Sequence, residues 1–331
     1  MSGARGAARL GVGVVGAGRV GAVLGSALRA VGHAVVGASG VSAESRERID
    51  ALLPGVPVLD VPEVVRRAEL VLLTVPDDEL AGVVEGLARL GAWQSGQLAV
   101  HTSGRYGVRV LEPARAGGAI PLAVHPAMTF TGTSLDLARL EGATFAVTAA
   151  APVLPIAQAL VVELGGEPAV VAEDDRALYH AALAHGSNHL VTLVAQAAQA
   201  LAAAGLEHPG RALGPLLGAA LDGALRWADV GPEPGDPAAG PGTPARGASA
   251  VGALTGPVVR GDVGTVRAHL DALRGLGADP AAHDVVPTYT ALVRATAARA
   301  VAAGRLPAAR AAEVLDALDD AGKPDPEQDE T

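Results

Sequence analysis

The sequence predicts an α/β protein: a doubly wound parallel sheet in the first part of the chain, then an all-α second domain. Three observations carry this. Short apolar, β-branched runs alternate with helix-spaced segments between residues 10 and 172. A glycine-rich turn, Gly16-Ala17-Gly18-Arg19-Val20-Gly21, joins the first such run to the first helical segment. Beyond Glu173 the strand-like runs stop, and long Ala-rich helical stretches replace them.

Leu10 to Val15 reads as a buried strand and Val20 to Ala30 as a helix, followed by a turn at Val31-Gly32-His33 and a second strand over Ala34 to Gly37. Ser45 to Leu53 has helical spacing and stops at Pro54. Val56 to Leu59 is read as a third strand. Pro62 to Ala68 is a helix with proline in its first turn, where the missing N–H costs nothing. Leu70 to Val75 is a continuous apolar run of the kind found in central parallel strands. A helix over Glu79 to Leu90 and strands over Leu98 to His101, Ala119 to Val124, Thr144 to Thr148 and Ala169 to Val171 follow. Short connections between alternating elements imply right-handed crossovers, with helices on both faces of the sheet. Helical pattern then covers Asp174 to Ala204, Arg211 to Ala228, Asp262 to Leu276, Asp279 to Ala303 and Ala308 to Leu318.

This divides the chain into a flexible N-terminus (1–9), a dinucleotide-binding domain (10–172) and a helical domain for substrate binding and dimerisation (173–318). The Pro/Gly-rich stretch 231–247 can bury little and reads as a loop insertion, and 319–331 as a disordered polar tail.

Composition narrows the chemistry. The 331 residues carry 25 Lys plus Arg against 35 Asp plus Glu, a net charge of −10. Such a balance argues against nucleic-acid or anionic-membrane partners, which need a basic face. No cysteine is present, which excludes disulfides, a thiol nucleophile, iron–sulfur clusters and thiolate zinc sites. The one lysine, Lys323, lies in the polar tail, which leaves no anchor for Schiff-base or P-loop chemistry. No signal peptide or membrane-length apolar run is evident, so a cytoplasmic location is expected.

The glycine turn has a specific physical reading. Gly16 permits the tight turn, Gly18 lets the backbone approach a diphosphate, and Gly21 lets helix and strand pack closely. The amides of Ala17, Gly18, Arg19 and Val20 then meet the phosphates at a positive helix end. Where an acid would bind the adenosine ribose, the sequence instead has Val36-Gly37-Ala38-Ser39, followed by Ser42, Ser45 and Arg46. Ser39 and Arg46 suit a 2′-phosphate, so NADP(H) is expected over NAD(H). Val75-Pro76-Asp77 and Thr102 fall after predicted strands, at the carboxyl edge where such folds bind ligands. Asp78 reads equally as a ligand or as the cap of the following helix.

Those motifs occur together with His101-Thr102-Ser103-Gly104, His125-Pro126-Ala127-Met128-Thr129-Phe130, Ala184-His185-Gly186-Ser187-Asn188-His189 and Thr255-Gly256-Pro257-Val258-Val259-Arg260-Gly261-Asp262. In this combination the chain resembles, over residues 10–300, a bacterial family with a Rossmann-type domain and a C-terminal helical domain of unassigned function. Its plan is similar to that of pyrroline-5-carboxylate reductases and β-hydroxyacid dehydrogenases. The resemblance implies a second domain like that of 6-phosphogluconate dehydrogenase, a homodimer through that domain, and NADPH-dependent reduction, with ketopantoate reductases of an alternative type among the members. The helix lysine of the better-known ketopantoate reductases has no counterpart here, so their mechanism does not transfer intact.

Hydride addition to a ketone needs a carbonyl carbon near the nicotinamide, a donor for the developing alkoxide, and a clamp for the rest of the substrate. His185, Asn188 and Thr192 are spaced to share a face of a helix that reads as buried, with Ser187 pointing away. The candidate proton donors are His125, His185 or an ordered water. Asn188 and Ser103 are expected to orient a small carboxylate substrate, and Arg260 to hold its carboxylate. The His180/His185/His189 group lacks accompanying carboxylates, so no metal site is expected. Two rivals stay open: an imine reductase of the pyrroline-5-carboxylate type, and a non-catalytic NADP(H)-binding regulator.

Overall fold

The structure is a computed structural model and describes residues 9–231, 246–276 and 280–320. Its sheet part runs β1 (Gly11–Val15), α1 (Arg19–Ala30), β2 (Ala34–Ser39), α2 (Ala43–Leu52), α3 (Val61–Arg67), β3 (Leu70–Leu73), α4 (Asp77–Arg89) and β4 (Leu98–His101). It continues with α5 (Glu112–Ala116), β5 (Ile120–Pro126), α6 (Leu135–Arg139), β6 (Thr144–Thr148), α7 (Leu154–Glu163) and β7 (Glu167–Val170). Helices then follow: α8 (Arg176–Ala203), α9 (Pro209–Ala228), α10 (Pro257–Arg260), α11 (Val263–Leu276), α12 (Val285–Ala302) and α13 (Ala308–Asp320).

The seven strands form one sheet in the order β2-β1-β3-β4-β5-β6-β7. The chain steps outward from β1 in both directions, so the order reverses beside the glycine turn, where ligands of doubly wound sheets bind. Two apolar layers cover the sheet. Val12, Val14, Leu72, Val100, Leu122 and Phe145 point into a core shared with α1 and α7, including Leu24, Leu28 and Val161. On the other face Val71, Leu73 and Ala99 pack with Val64, Leu80, Val84 and Leu111.

The mostly parallel, doubly wound sheet is as expected, and three details differ. The sheet is parallel from β2 to β5 and again between β6 and β7, but β5 and β6 are antiparallel. The segment between them leaves and returns at the same edge, where Ala127 N donates to Thr144 O at 2.8 Å, so no crossover turns the chain round. Val56 to Leu59 is not a strand. It makes one isolated bridge, Ala38 to Val58, because Pro57 has no N–H to give and Asp60 at once caps α3 through Glu63 N. Of the helix expected over Asp279 to Ala303, Asp279 lies outside the described residues; Pro280–Ala282 form a 3-10 turn and the helix begins at Val285.

Cα packing divides the chain into two compact units, Met1–Asn188 and His189–Thr331, so the first half of α8 belongs with the sheet. The second unit has its own core of Val258, Val266, Leu270, Val293, Ala297, Ala300 and Val314. In α9 only Leu213 is buried, while Leu216 is 66 % exposed. Of the segments expected to be irregular, residues 1–8, 232–245 and 321–331 lie outside the described residues; the final helix extends to Asp320. Among the described residues no helix is long and apolar enough to cross a membrane.

Candidate active site

The glycine turn is braced from two neighbouring strands. Gly16 sits at φ +88°, in the left-handed region open to glycine, and Gly18 N donates back to its carbonyl at 2.7 Å. Ser39, at the end of β2, accepts from Ala17 N through its carbonyl at 2.7 Å and from Gly16 N through Oγ at 3.1 Å. Thr74, after β3, donates its hydroxyl to Gly16 O at 2.6 Å. A Cβ on Gly21 would lie 2.2 Å from Thr74 Oγ1 and 2.5 Å from Gly16 O, so helix and strand touch there with no room for a side chain. At Gly18 a Cβ would meet only Gly16 O, at 4.0 Å. The space over Gly18 is therefore open, and the protein itself has no use for the missing side chain there.

Helix α1 begins at that open space without a side-chain cap and without an acid in its first turn. Its neighbours differ: Ser42 caps α2 and Asp60 caps α3. An uncapped helix start beside an open glycine backbone fits a diphosphate, whose charge would complete the cap. Val20 follows Arg19 in that first turn, and Arg19 is exposed. Arg46 is exposed on α2, the helix that leaves β2. Val75 packs its backbone N 3.0 Å from where a Gly16 Cβ would be, Pro76 is the N-cap of α4, and Asp77 opens that helix. Asp78 makes no capping bond. Thr102 N donates to Leu73 O at 3.2 Å, tying the end of β4 to β3.

Along the same edge, at the end of β5, His125 lines a cavity of about 390 Å³ with Ala127, Met128, Thr129, His180, Leu183, Ala184, Ser187 and Asn188. His125 Nδ1 lies 2.8 Å from Tyr179 Oη, and its ring makes edge contacts with Tyr179 and His180. A Cβ on Gly104 would fall 3.0 Å from His125 Nε2 and 2.6 Å from His180 Cδ2, so the turn after β4 is cut away to admit both rings. Burial pushes the His125 pKa down to about 4, helped by the nearby Arg176 and His180, so the ring is uncharged at neutral pH.

Arg176, the first residue of α8, is 1 % exposed. Its guanidinium donates to Thr148 Oγ1 (2.8 Å), Ser103 O (3.3 Å), Ala123 O (2.9 Å) and Ala146 O (3.1 Å). One planar cation thus joins the β4 turn to β5 and β6 and fixes the start of α8 over them. All four acceptors are neutral, and burial lowers its pKa to about 10. His101 is also buried: Nε2 donates to Gly107 O at 2.8 Å and Nδ1 accepts from Ser103 N at 3.2 Å, which sets its tautomer. Burial holds its pKa near 4.

The structure brings some expected residues together and separates others. Asn188 and His125 share the cavity wall. Ser187, expected to point away, lines the cavity too, and its Oγ donates to Leu183 O at 2.9 Å. His185, expected beside Asn188, is exposed and absent from that wall. The inward face runs through 180, 183, 184, 187 and 188, the set that 100° per residue generates from His180. Thr192 is exposed and falls in the second unit. The expectation that this stretch of α8 is buried is likewise corrected: Val191 is 69 % exposed. Ser103 is buried, and its Oγ accepts from Tyr106 N at 3.3 Å. Arg260 is exposed at the end of α10 in the second unit, where Asp262 caps α11 through Thr265 N at 3.1 Å. Arg176 and Tyr179 escaped the sequence reading. The i, i+3, i+4 spacing of Arg176, Tyr179 and His180 was the available signal. Among the described residues, no group of three or more His, Asp or Glu is arranged to hold a metal ion.

Residues 1–126 match the family model of a Rossmann-like domain, and residues 143–296 match a domain of unknown function, DUF2520. None of the curated proteins matches the sequence. Among solved structures, a Bacteroides fragilis protein assigned as an NADP oxidoreductase is similar at 21 % identity and a TM-score of 0.66, covering 88 % of this chain and 98 % of its own. An imine reductase from a Pseudomonas species is 18 % identical, with a TM-score of 0.60 over 90 % of this chain and 99 % of its own. A reductive aminase from Aspergillus terreus, solved with NADPH and ethyl levulinate, is 17 % identical, with a TM-score of 0.58 over 96 % and 100 %. At these identities the likeness is one of fold.

Proposed function

From the premise that this chain joins a Rossmann-like domain to a DUF2520 domain, we propose that it is an NADPH-dependent reductase of a small 2-oxo acid, with ketopantoate as the leading substrate. The similar folds assigned to an NADP oxidoreductase and to a reductase solved with NADPH support the cofactor class. The amides at Gly16 to Gly21 would hold the diphosphate, and Arg46, exposed on α2, would meet a 2′-phosphate, with Ser39 bracing the turn beneath it. Bound there, the dinucleotide supplies a hydride.

The observation that carries the substrate class is the charge of the cavity. Its described lining holds no Asp or Glu, and Arg176 stands behind it bonded only to neutral oxygens. A buried cation without a contacting carboxylate raises the potential around it, which favours an anionic substrate and a developing alkoxide over a cationic iminium. The uncharged imidazole of His125 and the amide of Asn188 are hydrogen-bonding groups on that wall, suited to a carbonyl oxygen and to the rest of a keto acid.

The second reading is reduction of a C=N bond, supported by the shared fold with an imine reductase and a reductive aminase. Purified protein with NADPH and ketopantoate separates the readings: loss of nicotinamide absorbance is expected. Turnover of pyrroline-5-carboxylate alone would favour the imine reading. NADPH binding without turnover of either would favour a regulatory role. A homodimer through the helical part goes with this proposal, supported by the exposed Leu216, Leu225 and Trp227 of α9; a monomer in sedimentation would remove it.

A further inference from the structure

The proton is the unsolved part of the proposed reaction. Reducing a ketone leaves an alkoxide that must take up a proton. His125 is the titratable group on the cavity wall that also reaches back into the protein, but as an uncharged ring it is a poor acid: giving up Nε2–H alone would leave an imidazolate. Burial and the neighbouring Arg176 cation make a standing imidazolium equally unsuitable. Arg176 and His180 face it from α8, and His101 lies behind it on β4. Of the carboxylates near these groups, Glu173 is engaged by Val108 N at 2.7 Å and Arg109 N at 3.2 Å, and Asp77 acts on His101.

Tyr179 removes the difficulty. Its hydroxyl is 2.8 Å from His125 Nδ1, on the ring edge opposite Nε2, which lies beside the cut-away turn at Gly104. It lies one turn beyond Arg176, whose four bonds to the sheet fix where that turn begins.

We propose that Tyr179 is the source of the proton delivered in the cavity, passed through His125, so that the imidazole is a two-ended relay and not itself the acid. The alkoxide lone pair takes the proton on Nε2, and that N–H pair returns to the ring. Nδ1 in turn takes the phenolic proton, and the Oη–H pair stays on oxygen. The imidazole ends neutral with its tautomer exchanged. Tyr179 ends as a phenolate one helical turn from the Arg176 cation. Tyr179 is half-buried, so water restores its proton and reverses the tautomer. Since it acts through His125 and does not touch the substrate, Tyr179 is a positioning residue. The inference rests on the reductase reading for its chemistry but on geometry for the dyad.

The test uses the full chain and begins without cofactor. Nitrogen NMR of the labelled imidazoles should show His125 neutral, protonated on Nε2 and accepting at Nδ1, and Tyr179→Phe should change that tautomer balance. A His125 protonated on Nδ1 in the unsubstituted protein would overturn the proposal, whatever the protein reduces. With NADPH and ketopantoate, Tyr179→Phe should lower kcat about 100-fold while KM and NADPH affinity stay within about twofold. The combined variant with His125→Gln should be no slower than His125→Gln alone, because links in series are not additive. Additive losses, or a loss confined to KM, would refute the relay. If no carbonyl compound is reduced, the reductase reading fails by itself and the tautomer measurement still decides the dyad.

Discussion

Replacing Gly18 and Gly21 by alanine, one at a time, separates the two jobs that the glycine turn combines. At Gly21 the new methyl group would sit 2.2 Å from Thr74 Oγ1 and 2.5 Å from Gly16 O. The threonine hydroxyl can rotate away, but the Gly16 carbonyl is backbone, so α1 must move by about an ångström. Overpacking of this kind costs about 1–3 kcal/mol. The displaced hydroxyl also loses its 2.6 Å bond to Gly16 O, worth about 1 kcal/mol net. Gly21→Ala should therefore lose about 2–4 kcal/mol, a large share of a typical domain's stability. At Gly18 the methyl group meets only an atom 4.0 Å away, and the backbone there has φ −76°, which alanine accepts. Its poorer capping and its stiffer unfolded chain nearly offset, leaving stability within about 1 kcal/mol. NADPH binding should respond the other way round: a methyl group in the diphosphate's place should weaken it at least about tenfold, or about 1.4 kcal/mol. Urea unfolding and calorimetric titration of both variants measure the two effects. If Gly18→Ala binds NADPH as tightly as the unsubstituted protein, the open space above Gly18 is not the diphosphate site.

Three further outcomes are expected. His101 and His125 both have pKa values near 4 in the fold against an ordinary value of 6.5, so the unfolded chain binds more protons between those limits. Stability present above pH 6.5 should fall as the pH drops towards 4, on the order of 3 kcal/mol for His101; chemical unfolding at stepped pH gives the slope, and a flat profile contradicts the burial of these rings. Arg176→Lys keeps the charge but cannot reach four oxygens from one plane, so it should cost about 2–4 kcal/mol through unsatisfied buried carbonyls; an unchanged melting temperature would show that the guanidinium bonds do not brace the sheet. Arg46→Ala should weaken NADPH about tenfold, close to 1.4 kcal/mol, and leave NADH unaffected; equal weakening of both would remove Arg46 from the 2′-phosphate.

Much of the dinucleotide half was legible because its physics is local. The turn from Gly16 to Gly21 announces itself through residues that lack a Cβ where the chain must bend and approach a ligand. Leu70 to Leu73 was readable as a central strand because four consecutive apolar residues cannot alternate between core and water. The β5–β6 reversal was not legible. Val124 and Phe145 look the same in a parallel or antiparallel ladder, and only Ala127 meeting Thr144 shows that the chain turned back. On α8, spacing correctly relates residues to one another but leaves the rotation of the helix free. Asn188 was placed with His185 for that reason, when the neighbour it shares a wall with is Ser187.

By itself, then, the sequence determined the alternation of strand and helix, the glycine-lined helix start, and an acidic chain without thiols, each a property of neighbouring residues or of the whole composition. The tertiary structure alone decided that Arg176 gathers carbonyls from three segments, that Ser39 braces the turn, and that Tyr179 meets His125 across 54 positions of sequence. Those are meetings between distant residues. A hydrogen bond between two such residues leaves no periodicity or composition behind it, because the energy that places them belongs to the packed sheet and helix rather than to either residue's neighbours.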